Sequence, residues 1–304
     1  MTGQSGARRF ACTSCGRCCD RGPEMELSEA TRLADRFITS LLFRVHSLPA
    51  SERSSWAAQW WRDRHSRIPL RPALDEAQRH LGHFTSRRRV DKGRDRQVLL
   101  EISAIVHDGG AGHCPALKDH LCSIYDRRPL SCQTVPMHYS RAPSLLQAYL
   151  DQFTATPGYA CDTGPSAPII VDGNKMVDPQ IGDRRAEAIA LAKADRRWKQ
   201  AMVELMEGDA GASAAGLPSH DAVLSASDNG YATMLPMIVA WRIARRAGLL
   251  TAEQFGEICA QQAELIRAQI ARQSSQELLD LLALYEAETP AAQPPGQALF
   301  SRGR

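Results

Sequence analysis

The sequence lacks a long apolar run. No stretch approaches the ~20 consecutive apolar residues that a transmembrane helix requires, and the most apolar candidate, Met234–Leu250, is interrupted by three arginines. The N-terminal segment Met1–Ala11 has no apolar stretch after Arg8 and Arg9, so it does not have the pattern of a secretory signal. We therefore expect a cytoplasmic protein without a membrane span.

Several motifs of nucleotide-dependent and hydrolytic enzymes are missing. The chain has no G-x-G-x-x-G after a strand and no Walker loop, no G-x-S-x-G elbow, and no C-x3-C-x2-C pattern of radical S-adenosylmethionine enzymes. The net charge is only +3. This balance demands neither a nucleic acid nor an anionic membrane as a partner, and we predict no nucleic-acid site.

Cysteine, in contrast, is abundant and unevenly distributed. Eight of the nine cysteines lie between Cys12 and Cys161, and only Cys259 lies beyond them. Because a cytoplasm keeps structural thiols reduced, this pattern indicates a metal rather than disulfides. Cys259 lies near Phe255 and Ile258 in a predicted helix, so we expect it to be a small buried hydrophobic residue.

The run Cys12-x2-Cys15-x2-Cys18-Cys19 is the most specific motif. Two residues between cysteines let both sulfurs reach one ion across a tight turn, which is the ligand spacing of structural zinc sites. Iron–sulfur proteins use the same spacing. Since Cys18 and Cys19 are adjacent, their side chains tend to diverge, and one of them could serve a second centre or act as a redox thiol.

A second set of cysteines follows about a hundred residues later. Its members are Cys114, Cys122, Cys132 and Cys161. The eight thiols of both sets are the predicted metal ligands. They could fill two four-coordinate sites, or hold one cluster and leave spare thiols, and the sequence does not divide them. The weaker candidates, as imidazole ligands, are His113, His120 and His138.

Residues around the second set have predicted supporting roles. A guanidinium of Arg127 or Arg128 could offset the charge of clustered thiolates. The alternative is that Arg128 pairs on the surface with Asp126 or Glu101. Tyr125 is expected to be a core residue that shields the centre.

The order C-x2-C-x2-C-C, then C-P-x-L, then C-x-I-Y-x-x-R-P-x-x-C resembles the zinc- or iron-chelating CxxCxxCC family, the YkgJ-like cysteine-cluster proteins. The likeness covers Phe10 to about Cys161. This chain departs from it at Gln133, where the family often has arginine, and at Ala116, where a bulkier residue is common. The resemblance implies metal binding by these thiols. It also relates the region to proteins labelled flagellin lysine N-methylase. The resemblance indicates which residues form the site, but it does not specify a reaction.

We therefore predict a mainly α fold with small β elements. An irregular cysteine-rich metal-binding core would occupy residues 1–180, a C-terminal helical extension residues 181–290, and a flexible tail residues 291–304. An iron–sulfur cluster is favoured over zinc, because adjacent cysteines and a surplus beyond four suit a cluster. The expected function is redox or metal handling with a protein or redox partner. The alternatives are a protein-modifying enzyme of the methylase type and a structural zinc module for partner binding.

The hydrophobic periodicity predicts the individual elements. A first helix should run from Ser28, as its N-cap, to about His46. Val98–Val106 should be a strand, and Ile169–Val177 a short hairpin. The basic stretch Arg87–Arg96 should be a solvated loop, with a dock for an acidic partner as the alternative. Further helices are predicted at Ser51–Arg64, Pro72–Phe84, Asp183–Glu207, Tyr231–Ala247, Ala252–Arg272 and Gln276–Glu286, with a small-residue linker at Gly208–Gly216.

Overall fold

The structure is a computed structural model that describes residues 6–19, 22–48, 76, 79–91, 95–107, 112–207, 209–219, 222 and 232–288. The strands are β1 Ala7–Arg9, β2 Glu24–Met25, β3 Thr39–Leu48, β4 Thr85–Asp91, β5 Asp95–Val106, β6 Leu117–Lys118, β7 Leu121–Cys122, β8 Ile169–Asp172, β9 Lys175–Met176 and β10 Ala232–Pro236. The helices are α1 Leu27–Arg32, α2 Leu130–Gln133, α3 Leu146–Thr154, α4 Pro179–Ala194, α5 Arg196–Met206, α6 Asp209–Ala215, α7 Ile238–Arg246, α8 Ala252–Arg272 and α9 Gln276–Glu286. The predicted mainly α class with small β elements is confirmed.

The largest sheet joins distant parts of the chain. It has five antiparallel strands in the order β10-β3-β5-β2, and β4 also pairs with β5. β3 pairs with β5 along its whole length, from Thr39 opposite Val106 to Leu48 opposite Gln97. Leu41 and Leu42, which point to opposite faces of β3, are both buried. Both faces of β3 are therefore covered at this point.

A second sheet of three strands holds the N-terminus in place. β1 pairs antiparallel with β8, which forms the hairpin with β9. From β1, the Arg8 guanidinium donates hydrogen bonds to both carboxylate oxygens of Asp151 in α3, at 2.6 and 3.0 Å. β1 is therefore anchored just before the first cysteines.

The main apolar core combines residues of β3, β5 and α1 with the helices α5, α7, α8 and α9. Trp241 and Tyr285 are fully buried in it, with ring centroids 6.1 Å apart. Residues on both sides of position 180 share this core, and β10 adds a strand to the sheet of the first half. The division into residues 1–180 and 181–290 stays a prediction. Among the described residues, no helix combines the length and the apolar character needed to cross a bilayer.

The predicted helix from Ser28 to His46 is wrong beyond its first turns. α1 ends at Arg32, and its N-cap is Glu26, whose side chain makes no capping hydrogen bond. The chain then continues as β3. A short run that is apolar on all sides fits a buried strand as well as a helix, and the pairing with β5 decides in favour of the strand.

Three other predictions are corrected in the second half. The helix predicted at Asp183–Glu207 is two helices, α4 and α5, which meet at Asp195. The carboxylate of Asp195 accepts the backbone N–H of Ser28 at 2.9 Å. The linker predicted at Gly208–Gly216 contains α6, and the helix predicted at Tyr231–Ala247 begins as β10 before α7 follows.

The strand of residues 98–106 is confirmed as part of β5, and the hairpin as β8 and β9. The basic stretch Arg87–Arg96 belongs mostly to β4 and β5 rather than to a loop. The helix predicted at Ser51–Arg64 and the tail 291–304 lie outside the described residues. Of the helix predicted at Pro72–Phe84, residues 79–81 are described as helical.

Candidate metal centre

The N-terminal cysteines lie in a tight loop directly after β1. A 3-10 turn covers Arg17–Cys19, and the Cys19 N–H donates to the Gly16 carbonyl at 3.0 Å. Gly16 has a φ of +72°, and an added Cβ would lie 3.3 Å from both the backbone and the ring of His120. Glycine thus suits both the turn and the close approach. The loop packs tightly against the segment that carries the second set of cysteines.

An antiparallel bridge brings Cys161 to the same loop. Ala11 and Asp162 exchange backbone hydrogen bonds at 2.8 and 3.1 Å. The Thr13 hydroxyl donates to the Ala160 carbonyl at 2.7 Å. Two backbone segments that flank cysteines are therefore held side by side.

Cys12 and Cys15 lie within reach of the charge of Cys161 on one side and of Cys18 on the other. We call these four thiols the outer group. Burial raises the pKa of the Cys161 thiol, and the charges of Cys15 and Cys12 raise it further. At Cys18, contact with the adjacent Cys19 thiol raises the pKa most, followed by burial and by the charges of Cys19, Cys12 and Cys15. Charge interactions of this kind act between groups that are close in space.

Cys15 differs from Cys18 and Cys161 within the outer group. The backbone N–H of Ala160, and then that of Arg17, donate to its sulfur and lower the pKa of its thiol. Hydrogen bonds to the charged form favour that form. The Cys15 thiolate, which is both the nucleophile and the metal-binding species, therefore forms more readily than in an isolated cysteine.

The remaining four thiols form the inner group: Cys19, Cys114, Cys122 and Cys132. The Cys114 N–H donates to the Cys19 carbonyl at 2.9 Å, and the hairpin of β6 and β7 pairs Leu117 with Cys122. Burial raises the pKa of the Cys114 thiol, and the charges of Cys19 and Cys122 raise it further. The hydrogen bond from Cys114 to Cys19 joins the first set of cysteines to the second.

The short helix α2 carries Cys132 into the inner group. Pro129 is its N-cap, and the Cys132 N–H donates to the Pro129 carbonyl at 2.9 Å. The Glu29 carboxylate accepts the N–H of Leu130 at 2.7 Å, which ties α2 to α1. Burial raises the pKa of the Cys132 thiol to about 12, and the charges of the other three inner thiols contribute to that rise.

Within the described residues, no three His, Cys, Asp or Glu side chains are arranged around a common point as ligands of one ion. All nine cysteines lie in the described part of the chain, and none forms a disulfide. The donor set suits a soft ion, because four thiolates complete the coordination of Zn²⁺ or of an iron–sulfur cluster. A cation would also remove the mutual repulsion of the thiolates, since a coordinating thiol is deprotonated outright.

The three candidate histidines lie in different surroundings. His113 and His120 are exposed, and Nδ1 of His113 lies 3.1 Å from the carbonyl oxygen of the next residue. Nδ1 of His138 lies 2.8 Å from the Ser140 hydroxyl, and its ring stacks on that of Tyr139 with centroids 4.3 Å apart. Burial lowers the pKa of His138 to about 3, so its ring is neutral at pH 7.

The sequence predicts that Tyr125 is a core residue that shields the metal centre from solvent. This prediction is wrong, because Tyr125 is 62% exposed. The Arg128 guanidinium lies 3.6 Å from the centroid of its ring, and the Arg128 Nε donates to the Tyr125 carbonyl at 2.9 Å. Among the described residues, Arg128 thus stacks on Tyr125 rather than pairing with Asp126 or Glu101. An arginine on an aromatic face is a common cation–π pair.

The sequence reasoning missed a polar cleft next to β2. Its ionisable side chains are those of Glu24, Glu26, Glu101, His138, Tyr139 and Lys199. The space between them is about that of a single water molecule. One feature of the sequence could have revealed this cleft: Lys199 lies on the same face of α5 as the apolar residues Trp198 and Met202. A charged residue on a buried face needs a partner of opposite charge.

The charges of this cleft are paired. Lys199 donates to Glu26 at 2.6 Å, and both side chains are buried. Arg44 binds both oxygens of Glu24, at 2.7 and 2.9 Å, and lies 3.7 Å from Glu101. Each of these carboxylates therefore has a cationic partner. The ion pairs connect the segment around β2 with β3, β5 and α5.

Comparison of the chain with protein-family models found no match, and comparisons with curated proteins and with solved structures found none either.

Proposed function

We propose that this protein binds metal through its eight clustered cysteines, in two four-thiolate centres, and acts in metal handling or electron transfer. The convergence of the two cysteine sets carries the proposal. The hydrogen bond from Cys114 to Cys19 and the bridge between Ala11 and Asp162 bring thiols of distant segments within reach of one another's charge. Each group then has four thiols, the number that a tetrahedral zinc ion or an iron–sulfur cluster takes.

A bound cation would remove an electrostatic conflict inside both groups. Burial and neighbouring thiols raise the pKa values of Cys114, Cys132 and Cys161, so thiolates gathered there are unfavourable without positive charge. None of residues 12–19 is buried. Since apolar burial orders this loop so little, metal binding would supply folding free energy to it.

Both Zn²⁺ and an iron–sulfur cluster suit a set of four thiolates. A surplus of cysteines beyond four favours a cluster, but two groups of four leave no surplus. Zn²⁺ and the iron of a cluster both prefer thiolate ligands. A protein-modifying enzyme remains the alternative that the family resemblance implies, and tight binding of S-adenosylmethionine would support it.

The test is elemental analysis of protein purified without oxygen, combined with visible absorption and electron paramagnetic resonance. We expect either close to two equivalents of zinc or iron with sulfide and thiolate-to-iron absorption bands. The Cys12→Ala variant should lose metal. Its matched control, Cys259→Ala, should retain the full amount, because the Cys259 thiol is buried in α8 within the main core. Protein without zinc or iron above background would contradict the proposal, as would unchanged metal content in Cys12→Ala.

A further inference from the structure

A second pocket lies between α1, the junction of α4 and α5, and the segment that joins α7 to α8. Its volume is about 250 Å³, which is close to the lower end of the range for small-molecule sites. Ala194 and Arg197 line it and are exposed, so solvent reaches the pocket from their side. None of the lining residues belongs to the candidate metal centre or to the polar cleft beside β2.

The pocket contains a buried carboxylate whose charge is not balanced by an ion pair. Asp195 is only 5% exposed, and its Oδ2 accepts the Ser28 N–H at 2.9 Å. Its side chain does not cap α5. Among the described residues, none donates to the other oxygen, Oδ1, and none forms an ion pair with Asp195. A buried charge in a protein is normally paired, so this carboxylate needs an explanation.

The neighbouring cations do not supply the missing charge. Lys199 lies one turn further along α5, but its ammonium is held by Glu26 at 2.6 Å. Burial raises the pKa of Glu26, and the charge of Asp195 raises it further. One buried ammonium is therefore close to two carboxylates and bonds to only one of them. Arg197, on the exposed side, forms no ion pair with Asp195 within the described part of the chain.

A second polar atom of the pocket also has no partner. The Ser28 Oγ is buried and forms no hydrogen bond among the described residues. The Thr31 hydroxyl, in contrast, is already used, because it donates to the Leu27 carbonyl and accepts the Trp241 N–H. The pocket therefore offers two oxygen acceptors, one of them charged, to an incoming donor.

The rest of the pocket wall is apolar. The Trp198 indole lines it, and its N–H is already taken by the Ala240 carbonyl at 3.0 Å. Leu249 and Leu250 line the opposite side and pack against the main core. Such a combination of an apolar wall with a few polar groups is typical of small-molecule sites.

We propose that this pocket binds a small organic ammonium, with its N–H groups on Asp195 and Ser28 and its apolar body against Trp198, Leu249 and Leu250. A primary ammonium has three donors and brings the positive charge that the carboxylate lacks. The proposal goes beyond the proposed metal binding and does not depend on it.

The test is isothermal titration calorimetry of the full chain at pH 7 with three compounds that share one aromatic body. They are phenethylammonium, phenethyl alcohol and hydrocinnamate, whose head groups are cationic, neutral and anionic. We expect saturable binding of the ammonium, at least about tenfold tighter than that of the alcohol, because a hydrogen bond to a charged group contributes more than a neutral one. Hydrocinnamate should not bind, since its charge repels Asp195.

Three variants locate the binding. Asp195→Asn keeps an acceptor for the Ser28 N–H but removes the charge, and it should weaken binding of the ammonium at least about tenfold. Ala194→Phe places a ring at the exposed side of the pocket and should abolish binding. Its matched control, Ala186→Phe, is exposed on the same helix away from the pocket and should bind as the unmodified protein does.

No saturable binding of phenethylammonium, or equal affinity for all three compounds, would overturn the inference, as would an unchanged affinity in a folded Asp195→Asn. If near-ultraviolet circular dichroism shows that Asp195→Asn does not fold, the three compounds and the two phenylalanine variants still decide. Equal binding in Ala194→Phe and Ala186→Phe would also count against this pocket. Metal content plays no part in these outcomes, so they leave the proposed metal binding to its own test.

Discussion

The backbone N–H of Cys114 donates a hydrogen bond to the carbonyl oxygen of Cys19 at 2.9 Å. The residue before Cys19 is Cys18, an outer thiol whose pKa rises most through contact with the Cys19 thiol. The inner and outer groups therefore share one short stretch of backbone. A change that moves this stretch acts on both groups.

Gly22 lies between this stretch and β2, and we expect it to tolerate no side chain. A Cβ there would collide with the carbonyl oxygen of Val106 and lie 2.7 Å from the Val106 Cβ. Gly22→Ala should lower the free energy of unfolding by about 2–3 kcal/mol, because the obstacle is backbone that cannot move aside. The measurement is urea unfolding followed by circular dichroism.

The control for Gly22 is a glycine with free space. Gly256 lies inside α8, and an added Cβ there would meet nothing within 4 Å. Gly256→Ala should raise the free energy of unfolding by about 0.5–1 kcal/mol, because alanine favours the helix. Equal effects of the two substitutions would show that the contact with Val106 is not what limits position 22.

Glu29 should make the protein less stable as the pH rises. Burial raises the pKa of its carboxyl group from 4.5 to about 7, despite the Leu130 N–H and the Arg32 charge, which lower it. The folded state then binds the proton more tightly than the unfolded state. The stabilisation is complete below pH 4.5 and is lost as the pH rises through about 7. The loss amounts to about 3 kcal/mol, at about 1.4 kcal/mol per pKa unit.

Glu29→Gln isolates this effect. The amide oxygen can still accept the Leu130 N–H, and the side chain no longer titrates. The difference in unfolding free energy between pH 5 and pH 8 should shrink by about 2.5 kcal/mol relative to the unmodified protein, because part of the loss already occurs below pH 5. An identical pH dependence in both proteins would mean that Glu29 ionises in the folded state as it does in water.

Arg185 should be essential to the segment that follows Cys132. Its buried guanidinium donates to the carbonyls of Met137, His138 and Arg141, at 2.7, 2.5 and 2.7 Å. Arg185→Met should lower the free energy of unfolding by about 3 kcal/mol, because three acceptors lose their donor. Hydrogen exchange of residues 137–141 should accelerate.

The neighbouring Arg184 provides the matched control. It is exposed on α4 and pairs with Glu187 at 2.6 Å. Arg184→Met should change the unfolding free energy by less than about 0.5 kcal/mol, as is typical of an exposed ion pair. If both substitutions destabilise equally, charge on α4 rather than the three carbonyl contacts is responsible.

The buried pair of Lys199 and Glu26 should be sensitive to removal of its lysine. Lys199→Met leaves the Glu26 carboxylate without its ammonium partner and should reduce the unfolding free energy by about 3–5 kcal/mol at pH 7. Burial already raises the pKa of Glu26, and Lys199 counteracts that rise. Without Lys199 the folded-state pKa rises further, so the stability of the variant should fall as the pH increases.

The double variant Lys199→Met, Glu26→Gln tests the same pair. Removing the unpaired carboxylate should recover part of the lost stability and abolish the added dependence on pH. Denaturation at pH 5 and pH 8 measures both effects. No recovery in the double variant would assign the loss to packing of the lysine stem rather than to charge.

Elements with local start signals could be predicted from the sequence. α8 and α9 have their predicted bounds because Thr251 and Ser275 accept hydrogen bonds from backbone N–H groups three residues further on. Such caps, together with an amphipathic pattern, act within a few residues and need no distant partner. The hairpin around Gly173 was predictable for the same reason.

Segments that depend on distant partners could not be predicted. Residues 39–48 and 232–236 have apolar patterns that fit a helix, yet they pair with each other as β3 and β10. Short apolar runs are ambiguous between the two structures. Hydrogen bonds to a strand far along the chain decide whether such a run becomes a helix or a strand. The local sequence pattern carries no information about that distant partner.

The amino-acid sequence by itself determined which candidate ligand atoms the chain offers: eight thiols whose spacing suits a soft metal. Only the tertiary structure decided which thiols of distant segments lie near one another, because it brings Cys161 to Cys12 and Cys15 and it brings Cys114 to Cys19. The chemistry of a thiol belongs to its own side chain. Proximity between remote segments arises instead from apolar burial and from long-range hydrogen bonds. Examples are the hydrogen bond between Cys114 and Cys19 and the bridge between Ala11 and Asp162.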